Sequence, residues 1–264
     1  MYKRQFQHIV KYQRLDELQE KIQNFSTRVL KSDCLDLPEK VYTKRSVSLT
    51  SEQVKAYTEM KKAAITFFEE NVMTAASVLT QMIRLHQIIC GHVKTDDGEI
   101  KSIKSNRIKE LLEVLEETNG KVIIWAVYRY DIQEIERTLG EKYGKESVAT
   151  YYGDTKDNLR QSIVDRFMDA DDDLRFFVGN PKTGGYGLTL TSSHTVVYYS
   201  NDYSLEVRLQ SEDRAHRIGQ TNKVTYVDLM ADHTIDEKIV KALNAKIDLA
   251  SQVMGEDPKK ILFG

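Results

Sequence analysis

The rhythm of apolar positions changes about two-fifths of the way along the chain. In residues 4–30 apolar side chains at Ile9, Tyr12, Leu15, Leu18, Ile22 and Phe25 recur among charged ones, at a spacing that fits one helix face. Asp36-Leu37-Pro38 breaks this pattern. Residues 41–49 alternate instead (Val41, Thr43, Arg45, Val47, Leu49) and are compatible with a strand. Thr50-Ser51-Glu52-Gln53 has the form of a helix start, followed by a helix to about Glu70 and a more apolar one over Thr74–Cys90. Asp96-Asp97-Gly98 is a turn, and the domain boundary is expected just after it.

From about residue 104 short apolar runs alternate with amphipathic ones. The pattern predicts strands at Lys121–Val127, Val148–Tyr152, Leu174–Gly179, Thr195–Ser200 and Val224–Leu229. Between and after them it predicts helices at Asn106–Glu117, Tyr130–Leu139, Lys156–Met168, Leu205–Ile218 and Ile235–Met254. Strands that are apolar throughout, separated by helices, imply an α/β fold with a parallel sheet covered on both faces. The expected division is a mainly helical region over residues 1–103 and a sheet domain over 104–264. In such sheets ligands gather beyond the C-terminal ends of the strands, so the loops there carry the chemistry.

Composition narrows the class without choosing a function. The chain has 264 residues, 41% hydrophobic and 30% charged, an ordinary balance for a folded protein. Its 38 basic residues are matched by 40 acidic ones, so any grip on nucleic acid must come from local groups rather than global charge. Cys34 and Cys90 are too few for a disulfide framework, and the chain reads as intracellular and cytoplasmic. No apolar run has the length of a membrane span, and Met1-Tyr2-Lys3-Arg4-Gln5 does not lead into a signal region.

Three segments carry candidate chemistry. In SLEVRLQSEDRAHRIGQ (residues 204–220), a helix would put Gln210, Arg214 and Arg217 on one face, with Glu206 a turn earlier and Leu205, Leu209 and Ile218 turned elsewhere to pack on the sheet. Two forked guanidinium groups suit the charge of a triphosphate during phosphoryl transfer. The plainer alternative is a solvated helix with salt bridges to Glu206, Glu212 and Asp213. In LRFFVGNPKTGGYGLTL (residues 174–190), the loop with Lys182, Thr183, Gly184, Gly185 and Gly187 lets backbone approach an anion, or is only a tight connection. Its spacing is not that of a dinucleotide fingerprint. In Tyr152-Gly153-Asp154-Thr155 either Asp154 or Thr155 caps the next helix, or the turn touches phosphate.

Other constellations are weaker. His86, Cys90 and His92 suggest a buried cysteine and capping histidines more than a metal site, because a closed zinc site wants four ligands. Trp125, inside an apolar strand, reads as core rather than as a base-stacking platform with Tyr128 and Tyr130. The chain has no G-x-x-x-x-G-K-[ST] string and no acidic D-E-x-H box after an apolar strand. The groups that hold Mg²⁺ and the β- and γ-phosphates are therefore not in it, and alone it is expected to hydrolyse ATP only at background.

In their order and intervals the three segments resemble the second RecA-like lobe of superfamily 2 helicases, in detail the Swi/Snf-type translocases. Gln210-Ser211-Glu212-Asp213-Arg214-Ala215-His216-Arg217-Ile218-Gly219-Gln220 resembles that family's motif VI, and Thr183–Leu190 its motif V. Val122–Ala126 resembles motif IV, Gly153-Asp154-Thr155 the turn between, Leu35–Lys40 the segment after the first lobe, and LTQMIRLHQIICGH (residues 79–92) a helical insertion. The resemblance implies a RecA-like parallel sheet flanked by helices, after a mainly helical N-terminal region. It makes Arg217 an arginine finger, Arg214 its partner and Gln210 a coupling residue. It sets Gly185 and Gly187 near the nucleotide, and Lys182, Thr183, Gly184 and Thr155 on a nucleic-acid backbone. ATP and Mg²⁺ would need a first RecA-like lobe as partner, with double-stranded DNA as track and no membrane. Pro181-Lys182-Thr183 replaces the family's Thr-Arg-Ala, and Tyr203-Ser204-Leu205 follows Asp202 in place of Trp-Asn-Pro. These departures imply a divergent branch, of a phage or bacterial kind. The rival readings are a non-catalytic docking module and an RNA-directed relative.

Overall fold

The computed structural model describes residues 13–27, 34–69, 75–184 and 187–254. The chain divides into a smaller unit, Met1–Asp36 with Asn244–Gly264, and a larger one, Leu37–Leu243. The described part of the smaller unit holds α1 (Leu15–Gln23), an amphipathic helix with no buried residue. The predicted helical positions Ile9 and Tyr12 lie outside the described residues.

The larger unit begins with β1 (Lys40–Ser46), α2 (Ser51–Glu69), α3 (Ala75–Cys90) and a hairpin of β2 (His92–Lys94) and β3 (Ile100–Ser102). Then come α4 (Arg107–Glu116), β4 (Lys121–Trp125), α5 (Arg129–Tyr143), β5 (Val148–Tyr151), α6 (Asp157–Met168), β6 (Phe176–Gly179) and the single turn α7 (Pro181–Gly184). β7 (Ser193–Tyr198), α8 (Leu205–Glu212), β8 (Val224–Met230) and α9 (Ile235–Met254) complete the order.

Six strands form one parallel sheet in the order β1-β8-β7-β4-β6-β5. β4 lies inside the sheet because both of its faces are apolar. Val122 and Ile124 pack with Leu111 and Leu115 of α4 and Ile132 and Ile135 of α5. Ile123 and Trp125 pack on the opposite face with Phe167 of α6 and Leu190. The alternation at 41–49 is a strand only as far as Ser46, and it sits at the edge of the main sheet, registered residue for residue on β8 from Lys40↔Val224 to Ser46↔Met230. Among the described residues no helix is long and apolar enough to cross a membrane.

The predicted helix over 205–218 is corrected: α8 stops at Glu212. Its N-terminus is capped as its sequence suggests, with Ser204 Oγ accepting from the Val207 amide. Beyond Asp213 the carbonyls a helix would need are taken from outside. The Arg214 carbonyl accepts from the Leu190 amide, and the Ala215 carbonyl from Gln220 Nε2. The chain continues through turns, with Gly219 at φ +100°. Ile218, expected against the sheet, is exposed.

Candidate functional site

The strand register brings four loops to one edge. Gly179 at the end of β6 lies beside Trp125 of β4 and Tyr151 of β5, and Trp125 lies beside Tyr198 of β7. Asn180 ties these ends together. Its amide donates to the Tyr151 carbonyl, and its Nδ2 donates to the Val127 carbonyl at 2.8 Å. Its Oδ1 accepts from the Lys182 amide, and its carbonyl accepts from the Thr183 and Gly184 amides. Asn180 thus builds α7, a role that the sequence reading missed. The available signal was an asparagine directly after a strand and before Pro181, a turn-forming pair.

With those amides used internally, what α7 presents outward is the Lys182 ammonium, 60% exposed and 2.7 Å from Asp202 Oδ2. Gly184 is buried and Thr183 half-buried. Gly185 lies outside the described residues. Gly187 adopts φ +75°, and a Cβ there would meet nothing within 4 Å. The backbone at Gly187 is therefore open to an approaching group.

In the next loop Thr155 and Asp154 do not cap α6, whose N-cap Lys156 has no side-chain cap bond. The Thr155 hydroxyl accepts from the Tyr152 amide and donates to the Thr150 carbonyl, fixing the turn that ends β5. Asp154 pairs with Arg129 at the start of α5, 3.0 Å away.

The arginines meet at the glycine loop. Arg214 Nη1 and Arg217 Nη1 both donate to the Leu188 carbonyl, at 3.2 and 3.0 Å. Gln210 joins through its backbone: its carbonyl accepts from Arg214 Nε at 2.9 Å, while its side-chain amide donates to Glu206. The three side chains do not share one helix face, because α8 ends before Arg214. The two guanidinium groups converge nonetheless. Neither is in an ion pair with a described residue, and partial burial together with the neighbouring Arg217 charge holds Arg214 below its ordinary pKa. Two half-buried positive groups sharing one neutral acceptor form a site that an anion would complete.

The segment carrying them is held firmly. Glu212, buried, accepts from Arg208 Nε at 2.7 Å, from the Tyr42 hydroxyl at 2.7 Å and from Lys40 Nζ at 3.5 Å. Arg208 also reaches Asp228 at 2.6 Å and stacks on the Tyr198 ring. Burial and the Glu212 carboxylate push the Tyr42 phenol well up. His216 Nε2 sits 2.7 Å from the Pro38 carbonyl, and Gln220 Nε2 donates to the Thr191 and Ser193 carbonyls. Lys40, Tyr42 and Pro38 were not read as parts of this site, and only the β1–β8 pairing brings them there.

The histidines behave differently from caps. His86 Nδ1 bonds the Tyr128 hydroxyl at 2.9 Å, and its Nε2 faces Asp236 at 3.4 Å. His92 faces buried Asp131 at 3.1 Å. Among the described residues no group of three or more His, Cys, Asp or Glu is placed to hold a metal ion.

Comparison with known proteins identifies the domain. Residues 103–219 match the helicase conserved C-terminal domain. The chain is 30% identical over 196 residues to the ATP-dependent helicase fft2 of Schizosaccharomyces pombe, covering 74% of this chain and 15% of that protein. It is 30% identical over 255 residues to the putative ATP-dependent helicase/translocase YwqA of Bacillus subtilis, covering 91% of this chain and 27% of that protein. It thus spans only a minor part of these relatives. The fold is similar to the Sulfolobus solfataricus SWI2/SNF2 ATPase core in complex with dsDNA, with a TM-score of 0.65 at 24% identity, covering 93% of this chain and 55% of that one. It is also similar to the C-terminal part of the Fun30 ATPase domain, with a TM-score of 0.64 at 18% identity, covering 79% of this chain and 90% of that one. Through residues 103–219 the chain belongs to the helicase conserved C-terminal domain family, and the relatives it matches are named as ATP-dependent helicases.

Proposed function

We propose that this chain is the second motor lobe of an ATP-driven translocase on double-stranded DNA. In this reading residues 1–103 are a linker and insertion region, residues 104–264 are the lobe, and the cytoplasm is the compartment. The observation that carries it is the meeting of Arg214 and Arg217 at the Leu188 carbonyl without a carboxylate partner. Arg217 acts as the arginine finger on the terminal phosphates of ATP and Arg214 as its partner. An incoming phosphate oxygen replaces the shared carbonyl and supplies the missing negative charge. Gln210 couples them to α8 through its carbonyl on Arg214. Gly185 and Gly187 let the nucleotide and the opposing lobe approach the backbone.

In this reading Mg²⁺ is not held by this chain, whose sequence has no acidic D-E-x-H box after an apolar strand. That ion and the phosphate cradle belong to a first RecA-like lobe. On the sheet edge Lys182 and Thr183 of α7 and the turn fixed by Thr155 contact one DNA strand through its backbone, which sets position rather than sequence. Gly184, read from the sequence as a further contact, is buried with its amide on the Asn180 carbonyl and seats α7 instead. The dsDNA bound to the archaeal SWI2/SNF2 core supports duplex DNA over RNA as the track.

The test is DNA-stimulated ATP hydrolysis with a first lobe supplied, in trans or fused. Arg217→Ala should lower turnover by about 10³-fold, the lower end of what arginine fingers contribute. Turnover unchanged by Arg217→Ala supports a docking module instead, and stimulation by RNA alone supports an RNA-directed enzyme.

A further inference from the structure

Trp125 is the chain's single tryptophan, and it ends β4 fully buried. It lies directly beneath α7. A Cβ built on Gly184 would stand 2.7 Å from both Cη2 and Cζ3 of the indole, and one on Gly179 would stand 2.8 Å from Cζ3. No real Cβ tolerates such contacts. The neighbour here is a rigid ring packed edge-on against Phe177, with centroids 5.9 Å apart, so it cannot yield as the tip of a flexible side chain would. The indole Nε1 is buried with no hydrogen-bond partner. A polar bond therefore does not set the ring's place, and packing does.

We propose that Trp125 is a positioning residue for the nucleic-acid contact. The outer ring of its indole is the floor that sets the height of α7, and through it the position of Lys182 and Thr183. Asn180 holds α7 from the side through its carbonyl and Oδ1, and Trp125 holds it from below. The inference rests on reading α7 as a phosphate-backbone contact. It makes glycine necessary at 184 and an indole, rather than a phenyl ring, necessary at 125. A phenyl ring stops short of the two atoms that Gly184 rests on.

The experiment uses this chain and duplex DNA. Anisotropy of a fluorescein-labelled duplex reads binding, and tryptophan emission with an unlabelled duplex reads the floor of α7 without any added probe. The expected result is a saturable change in emission whose midpoint matches the anisotropy curve. Gly184→Ala should weaken binding about tenfold, the share of one charge-assisted contact. Trp125→Phe should weaken it about threefold by leaving α7 unsupported. The double variant should bind within about twofold of the parent, because the added methyl fills the space the smaller ring vacates. Melting curves confirm that each variant is folded, and the emission titration decides even where Gly184→Ala does not fold. Binding with unchanged emission overturns the proposal while leaving the α7 contact standing, as does a double variant no better than Gly184→Ala. Absence of any anisotropy rise overturns the α7 contact and the proposal with it.

Discussion

Two groups of arginines share one short stretch of chain and have opposite surroundings. Arg208 is enclosed by counter-charge: Glu212 at 2.7 Å, Asp228 at 2.6 Å, the Asn201 side-chain oxygen at 2.7 Å, and the Tyr198 ring beneath it. Arg214 and Arg217 share a single carbonyl and have no described carboxylate partner. Both environments remove water from a cation. In the first the fold itself supplies the anions, so the charge serves architecture. In the second the fold supplies no described carboxylate, as the proposed contact with phosphate requires. Burial alone does not separate the two cases, but partner count and partner charge do.

The largest effect expected from this difference is on stability at Arg208. Arg208→Ala leaves buried Glu212 and half-buried Asp228 without their main cation, and should cost about 3–5 kcal/mol. Arg217→Ala removes no native ion pair and should cost no more than about 0.5 kcal/mol. Urea unfolding of the two variants side by side checks this. Equal losses would erase the distinction between an architectural and a functional arginine.

A third arginine extends the paired side of the comparison. Arg107 is fully buried, donates to the Tyr199 and Leu229 carbonyls and pairs with Asp236. Burial alone would raise the Asp236 pKa, but the Arg107 charge wins, with help from His86 and the Ala231 amide, and the carboxyl is pulled down to about 2. An unfolded aspartate titrates near about 3.9. The folded value is the lower one, so this pair's contribution is complete above about pH 4 and is lost as pH falls through about 2. Its size is on the order of 2 kcal/mol. Unfolding midpoints measured between pH 5 and pH 2 should show that loss in the parent chain. In Asp236→Asn the same slope should be shallower, which separates this carboxylate from the others that titrate in the range.

How much of this was legible in the sequence follows from whether the cause is local. The run Val122–Trp125 is apolar at successive positions, and its burial on both faces is a local consequence. Arg214 and Arg217 were expected together on one helix face, and they do meet, at the Leu188 carbonyl, but by another route. The spacing of Gln210, Arg214 and Arg217 suggested a continuous helix, and nothing local reveals that the Leu190 amide claims the Arg214 carbonyl. That bond depends on where β7 enters the sheet. Asn180 was overlooked because its role is to join three strand ends, a relation that strand order creates. Lys40 and Tyr42 were invisible for the same reason: the alternation at 41–49 indicated a strand but not its neighbour.

The smallest expected effect concerns that last group and tests how the two kinds of arginine depend on each other. Lys40 lies outside the matched domain, yet its ammonium is buried 3.5 Å from Glu212, the residue that also holds Arg208. Lys40→Met keeps a long flexible chain in the same space and removes only the charge. Glu212 still has Arg208 and the Tyr42 hydroxyl, so the stability loss should be about 1–2 kcal/mol, well short of that for Arg208→Ala. Asp213, 3.9 Å from the same ammonium, immediately precedes Arg214. Loosening it should misplace the Arg214–Arg217 pair more than it loosens the sheet. With a first lobe supplied, turnover at saturating ATP should fall about tenfold, since small errors in position are costly to reaction geometry. Lys40→Arg should restore most of it. If Lys40→Met instead lowers stability as much as Arg208→Ala and leaves turnover per folded molecule untouched, then the edge strand only braces the sheet, and the open arginine pair is held by its own turn alone.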